Sequence, residues 1–245
     1  QRPGDELGEP REARTMIIGE QKPLEEIKGL VGEAEKVLVV GCGTCVTVCF
    51  AGGEREAHVL SSLLRMSDKL DGSARDVSDV TVQRQCEWEY LDAIEDRVAD
   101  ADVVLSIGCG IGVQAMAQHF PEAVVVPGLN TTFMGLPAEQ GVWEERCAAC
   151  GQCVLGLTGG ICPIARCAKQ LLNGPCGGTS DGRCEIDPEL DCAWQLIFDK
   201  LSAQGRLDAL LEITPPKDWR TSRDGGPRKI VRDDLREPAP AQADS

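Results

Sequence analysis

The sequence predicts an α/β protein, a Rossmann-like parallel sheet with helices, followed by a cysteine-rich module with short helices. Three observations predict it. Aliphatic runs that stop at glycine-rich turns alternate with segments of helical period through the first half of the chain. Eight of the thirteen cysteines then fall between Cys147 and Cys192. Beyond them two short helical patterns precede Pro215-Pro216 and a polar tail.

Residues 1–15, rich in Pro, Gly, Glu and Arg, carry no hydrophobic period and read as a flexible extension. Met16-Ile17-Ile18-Gly19 is the first ordered piece, and Leu24, Ile27, Leu30 and Val31 recur at helical spacing up to Gly32. Val37–Val40 is a continuous aliphatic run ending at Gly41-Cys42-Gly43, which suits a strand buried on both faces. Val59, Leu60, Leu63, Leu64 and Leu70 mark the helix after it, interrupted early by Gly52-Gly53. Asp79–Val82 is a weaker strand before Cys86, and Trp88, Leu91, Ile94 and Val98 stripe the next helix. Asp102–Ile107 is a third strand, stopped by Gly108-Cys109-Gly110. Val113, Met116 and Phe120 carry a short helix, and Ala123–Val126 is a fourth strand. Short turns between alternating strands and helices make the sheet parallel. The Rossmann-like domain is placed at 16–136, the cysteine-rich domain at 137–213, and a basic arm with a disordered tail at 214–245.

Composition narrows the function. With 42% hydrophobic but only 4% aromatic residues the core is aliphatic. No apolar run approaches the roughly 20 residues of a membrane span, and no secretory signal is visible at the start. The net charge of −15 excludes a nucleic-acid role, which needs clustered Lys and Arg. The arm departs from this, with seven basic residues against four acidic ones between Thr214 and Arg236. In a reducing compartment, clustered C-x2-C pairs point to metal or redox work rather than disulfides.

Cys147-Ala-Ala-Cys150-Gly-Gln-Cys153 puts three thiols on one tight turn, the pattern that grips three corners of an inorganic cluster. Cys162-Pro163 supplies the closing Cys-Pro of the bacterial ferredoxin pattern after a longer gap, and Cys167, Cys176, Cys184 and Cys192 complete eight thiols. Eight is the number two four-iron clusters need, so the module reads as an iron-sulfur module, with structural zinc as the alternative. Repeated glycines there let backbone N–H groups approach cluster sulfurs.

A second set lies in the sheet domain. Cys42, Cys86 and Cys109 follow three successive strands, and the carboxyl ends of parallel strands gather on the edge where ligands bind. Cys45 and Cys49, at helical spacing, join them as candidate ligands of a third site. One or two such cysteines would be ordinary small hydrophobes. Neither glycine loop completes a dinucleotide fingerprint. His58 and His119, without partners nearby in sequence, read as surface or core residues, and no acid or base pair stands out as catalytic.

With these residues in view, the chain resembles the methylenetetrahydrofolate reductase C-terminal domain family, and within it the small iron-sulfur subunit that accompanies the flavin-containing reductase. The resemblance spans about residues 16–235. It rests on Met16-Ile-Ile-Gly-Glu-Gln-Lys-Pro-Leu-Glu25, Val40-Gly-Cys-Gly-Thr-Cys45, Gly108-Cys-Gly-Ile-Gly112, Cys147-x2-Cys150-Gly-x-Cys153, Thr158-Gly-Gly-Ile-Cys-Pro163 and Asn173-Gly-Pro-Cys-Gly-Gly178. It implies a cytoplasmic oxidoreductase complex of one-carbon metabolism. A partner TIM-barrel subunit there holds flavin and reduces methylene- to methyl-tetrahydrofolate. This chain would be a non-catalytic electron-transfer subunit with two or three 4Fe-4S clusters, zinc being the alternative at one site. Its electron donor would be ferredoxin or a further redox subunit. The competing expectation is a metal-stabilised docking subunit without a redox role.

Overall fold

The computed structural model describes residues 17–73, 75–139, 141–232 and 234. The extension expected at 1–15 and the end of the tail lie outside them. The chain forms two compact units, 1–147 and 148–245.

The first unit is built on a parallel sheet of β2 (Lys36–Cys42), β3 (Asp76–Val82), β4 (Val103–Ser106) and β5 (Val125–Pro127), in the order β3-β2-β4-β5. The aliphatic run in β2 is buried because successive side chains enter opposite cores. Val37 and Val39 pack with Ile27 of α1 (Leu24–Val31) and with Leu60 and Leu64 of α3 (Glu54–Asp71). Leu38 and Val40 pack with Leu91, Ile94, Val98 and Met116 from the other layer. That layer holds α4 (Trp88–Leu91), a 3-10 turn, α5 (Glu95–Ala99) and α6 (Gly110–His119). The Gly52-Gly53 break falls where expected, separating the single turn α2 (Cys45–Val48) from α3. Glu56 reaches back to accept from the Gly53 N–H at 3.0 Å, and α3 ends at Gly72 in the left-handed region, φ 77°.

A second, antiparallel sheet of order β1-β6-β7 joins β1 (Ile17–Gln21), β6 (Leu129–Glu139) and β7 (Val142–Cys147). The sequence pattern places only the start of β1 here and assigns 137 onward to the cysteine-rich module. Register shifts in both strand pairs and Pro137 within β6 break the period-two signal that would reveal these strands.

The second unit carries α7 (Pro163–Arg166) and α8 (Ala193–Ala203), three 3-10 turns and long irregular segments. Its core is small: Cys192, Trp194, Ile197 and Leu201, with Ile161, Cys167 and Leu171 packed against them. The Trp194 Nε1–H donates to the Leu171 carbonyl at 3.0 Å, fixing the loop before α8. Among the described residues no helix is long and apolar enough to cross a membrane.

Leu64 has no solvent exposure, whereas Leu70 on the same helix is 88% exposed. Truncating Leu64 to Ala should cost about 2–5 kcal/mol, and truncating Leu70 less than about 0.5 kcal/mol, measured by urea unfolding.

Candidate functional site

The order β3-β2-β4-β5 makes the carboxyl ends of β2 and β4 a topological switch point, since the chain leaves β2 toward β3 on one side and returns to β4 on the other. Cys42 ends β2 and Cys45 opens α2. Cys86 follows β3, and Cys109 caps the start of α6 after β4. The thiols of Cys42 and Cys86 each lie within electrostatic reach of Cys109 and of Cys45, so four of the predicted ligands share one edge. Burial, followed by this crowding, pushes the Cys42 and Cys86 thiols up, since each disfavours an uncompensated thiolate. Cys49 lies within electrostatic reach of Cys45 as well, but its thiol donates to the carbonyls of Gly19 and Val46, both at 3.6 Å.

The edge is held by a residue that sequence reasoning missed. Gln85, fully buried, donates from Nε2 to the Val40 carbonyl at 2.8 Å and the Gly41 carbonyl at 3.2 Å. Its Oε1 accepts from the Ser106 hydroxyl at 2.6 Å. One side chain thus ties the loop bearing Cys86 to the ends of both central strands. A Cβ at Gly108 or Gly112 would collide with it, which accounts for glycine at those two positions around the Cys109 turn. The only signal in the sequence is an amide one residue before Cys86, which no period distinguishes.

In the second unit Cys167, Cys176, Cys184 and Cys192 line a single cleft with Thr179, Trp194 and the ion pair Lys169–Glu185. Local structure brings them there. Ser180 and Arg183 bridge, the Cys184 N–H donates to Leu190 at 2.9 Å, and the Cys192 N–H donates to Gly182 at 2.7 Å, so the segment folds back on itself. The Thr179 hydroxyl donates to the Cys192 Sγ at 2.8 Å. The backbone N–H of Gly178 and then the Lys169 ammonium draw the Cys176 thiol below its usual range. Thiols with such donors are the chemistry that metal ligation by sulfur requires. The cleft is small, about 20 Å³, against the roughly 10–15 Å³ a single water needs. No three His, Cys, Asp or Glu side chains among the described residues converge closely enough to hold a metal ion.

Cys150 and Cys153 lie in a loop held by the basic arm. The Thr221 hydroxyl donates to the Cys150 carbonyl at 2.9 Å, and Arg228 Nη1 donates to Ala149 at 2.6 Å. Gly151, at φ 78°, leaves no room for a Cβ against the Thr221 backbone. Cys162 caps the start of α7, and Cys147 ends β7. His58 and His119 lie outside these sets, 3.6 Å from Asp79 and 2.9 Å from Asp92. The cysteines form no disulfide among the described residues.

Residues 126–220 match the family model described as methylene-tetrahydrofolate reductase C terminal, which supports over that segment the resemblance read from the motifs. No curated protein and no solved structure matched the chain.

Replacing Gln85 with Ala leaves the Val40 carbonyl and the Ser106 hydroxyl without this partner. It should cost about 1–3 kcal/mol in urea unfolding. Gln85→Glu should cost more, because it sets a carboxylate against two carbonyls.

Proposed function

We propose, from the family match over residues 126–220, that this chain is an iron-sulfur electron-transfer and assembly subunit of a methylenetetrahydrofolate reductase complex. The observation that supports the metal reading is the placement of Cys42, Cys45, Cys86 and Cys109 at neighbouring strand ends and helix starts around the switch point of the sheet, within electrostatic reach though not drawn in to ligand distance. Those four would hold one group, and Cys167, Cys176, Cys184 and Cys192 a second. Cys150, Cys153 and Cys162, with their C-x2-C spacing and following Cys-Pro, would serve a third. Iron-sulfur clusters, when bound, supply one-electron transfer at potentials set by charge, hydrogen bonds to sulfur and exposure.

The protein's part is to supply those settings. Gln85 fixes the spacing of the strand-end thiols, while Thr179, the Gly178 N–H and Lys169 place positive hydrogen-bonding groups at the second set. Four parallel strands are described, against the eight of a βα barrel, so flavin and folate chemistry is assigned to a partner subunit. Electrons would arrive from ferredoxin or a further redox subunit, in a cytoplasmic setting that keeps the thiols reduced.

A second reading is favoured by the small cleft of the second unit, which suits one zinc ion better than a four-iron cube. Single Cys86→Ala and Cys184→Ala variants separate the two. On the electron-transfer reading each should lower iron by about four per chain and slow ferredoxin-driven methylenetetrahydrofolate reduction by the reconstituted complex. Unchanged iron and rate in both variants would refute it. Zinc lost from Cys184→Ala with the rate intact would leave the second unit a structural centre.

The small core of the second unit generates a separate prediction. If metal ligation supplies part of its folding free energy, chelation should make 148–245 sensitive to limited proteolysis while 17–147 persists.

A further inference from the structure

The parallel sheet ends in two edge strands, β5 and β3. β5 is short, and its outward-facing residues are Val125 and Pro127, the second without an N–H to give. β3 is longer, seven residues from Asp76 to Val82, and its free side is the larger opportunity for another strand. The ladder shows which of its groups face outward. The Asp76 N–H donates to the Glu35 carbonyl at 2.8 Å and the Val82 carbonyl accepts from Gly43 at 2.9 Å, so Asp76 and Val82 turn toward β2. The register between them is unbroken and a strand alternates residue by residue, so Val77, Asp79 and Thr81 turn their N–H and C=O groups away from the sheet.

Two arginines reach those outward carbonyls, one from each helical layer. Arg65 of α3 donates from Nη1 to the Val77 carbonyl at 2.7 Å and is steadied by a bond from Nη2 to the Ser62 hydroxyl at 2.9 Å. Arg97 of α5, on the other layer, donates from Nη2 to the Asp79 carbonyl at 3.0 Å. A guanidinium carries donors and no acceptor, so an incoming strand would find both carbonyls taken and cationic donors facing its own N–H groups. Thr81, the third outward residue, is left uncovered among the described residues, beside a cleft of about 430 Å³. One residue gives a strand too little to pair with. Asp76 and Asp79 add negative charge along the same edge, a further deterrent to an identical strand.

We propose that Arg65 and Arg97 guard the β3 edge against a second copy of this chain, by occupying the Val77 and Asp79 carbonyls that strand pairing would need. Every copy carries the same free edge, and antiparallel pairing of two such edges across a twofold axis would satisfy both at once. With the guards in place the parallel sheet ends within one chain, and assembly with other chains is left to other surfaces.

Sedimentation equilibrium of the full chain tests this, in salt high enough to screen Asp76 and Asp79. Arg65→Met combined with Arg97→Met keeps the apolar stems and removes the donors. The weight-average mass of this methionine pair should rise with concentration toward about twofold that of the parent. Arg97→Met alone, at an exposed side chain, should rise less, and it carries the test if the double variant does not fold. Arg65→Lys combined with Arg97→Lys, where each ammonium can still donate to its carbonyl, should stay at the parent mass. Adding Thr81→Pro to either methionine variant should restore the parent mass, because that N–H faces outward and the ladder to β2 does not use it. Parent mass in both methionine variants would overturn the proposal. So would an equal rise in the lysine pair, or a rise that Thr81→Pro leaves unchanged, which would place the association on another surface.

Discussion

The buried amide of Gln85 is the constraint on which the carboxyl edge of the sheet depends. At the ends of β2 and β4 the Val40 and Gly41 carbonyls and the Ser106 hydroxyl lie beside one another, the Val40 carbonyl also accepting from the Ile107 N–H at 2.9 Å. Gln85 links them with one side chain, donating to Val40 and Gly41 and accepting from Ser106. Because it immediately precedes Cys86, the same bonds set where that thiol sits relative to Cys42 and Cys109. Glycine at 108 and 112 follows from the space the amide takes. A network of this kind is stable only when complete, which ties the geometry of the thiols to the integrity of the sheet.

The second unit works differently. It has little regular structure and a core of four buried residues, so aliphatic burial alone gives it little to fold around. Backbone turns and side-chain clamps carry more of the order. Asn173 exchanges two hydrogen bonds with Thr214 at 3.0 and 2.6 Å, and Thr221 and Arg228 fasten the loop of Cys150. Thiols gathered into one cleft in such a scaffold suit cross-linking by metal, whether the occupant is redox-active or inert.

Much of the parallel sheet was legible because burial on both faces writes itself as unbroken aliphatic runs, as in Val37–Val40 and Val103–Ile107. The glycine break at Gly52-Gly53 marked a helix boundary, where a Cβ on either residue would run into the Ile107 carbonyl or the Thr47 hydroxyl. The antiparallel sheet was not legible, because β6 combines shifted register with Pro137 and a mostly exposed pattern. Strand ends told which cysteines of the first unit share an edge. They could not tell that Cys49 turns toward Gly19 instead, since helical spacing fixes a face and not a hydrogen bond. Gln85, Thr221 and Arg228 were invisible for a related reason: each acts through contacts distant in sequence, which no local pattern encodes.

The central claim is that the gathered thiols hold iron-sulfur clusters able to take up electrons. Electron paramagnetic resonance of the anaerobically purified, dithionite-reduced chain, with iron, sulfide and zinc counted on the same sample, tests it most directly. The account predicts sulfide equal to iron and signals of reduced four-iron clusters integrating to about two or more spins per chain. An iron-free sample, silent on reduction, would contradict it.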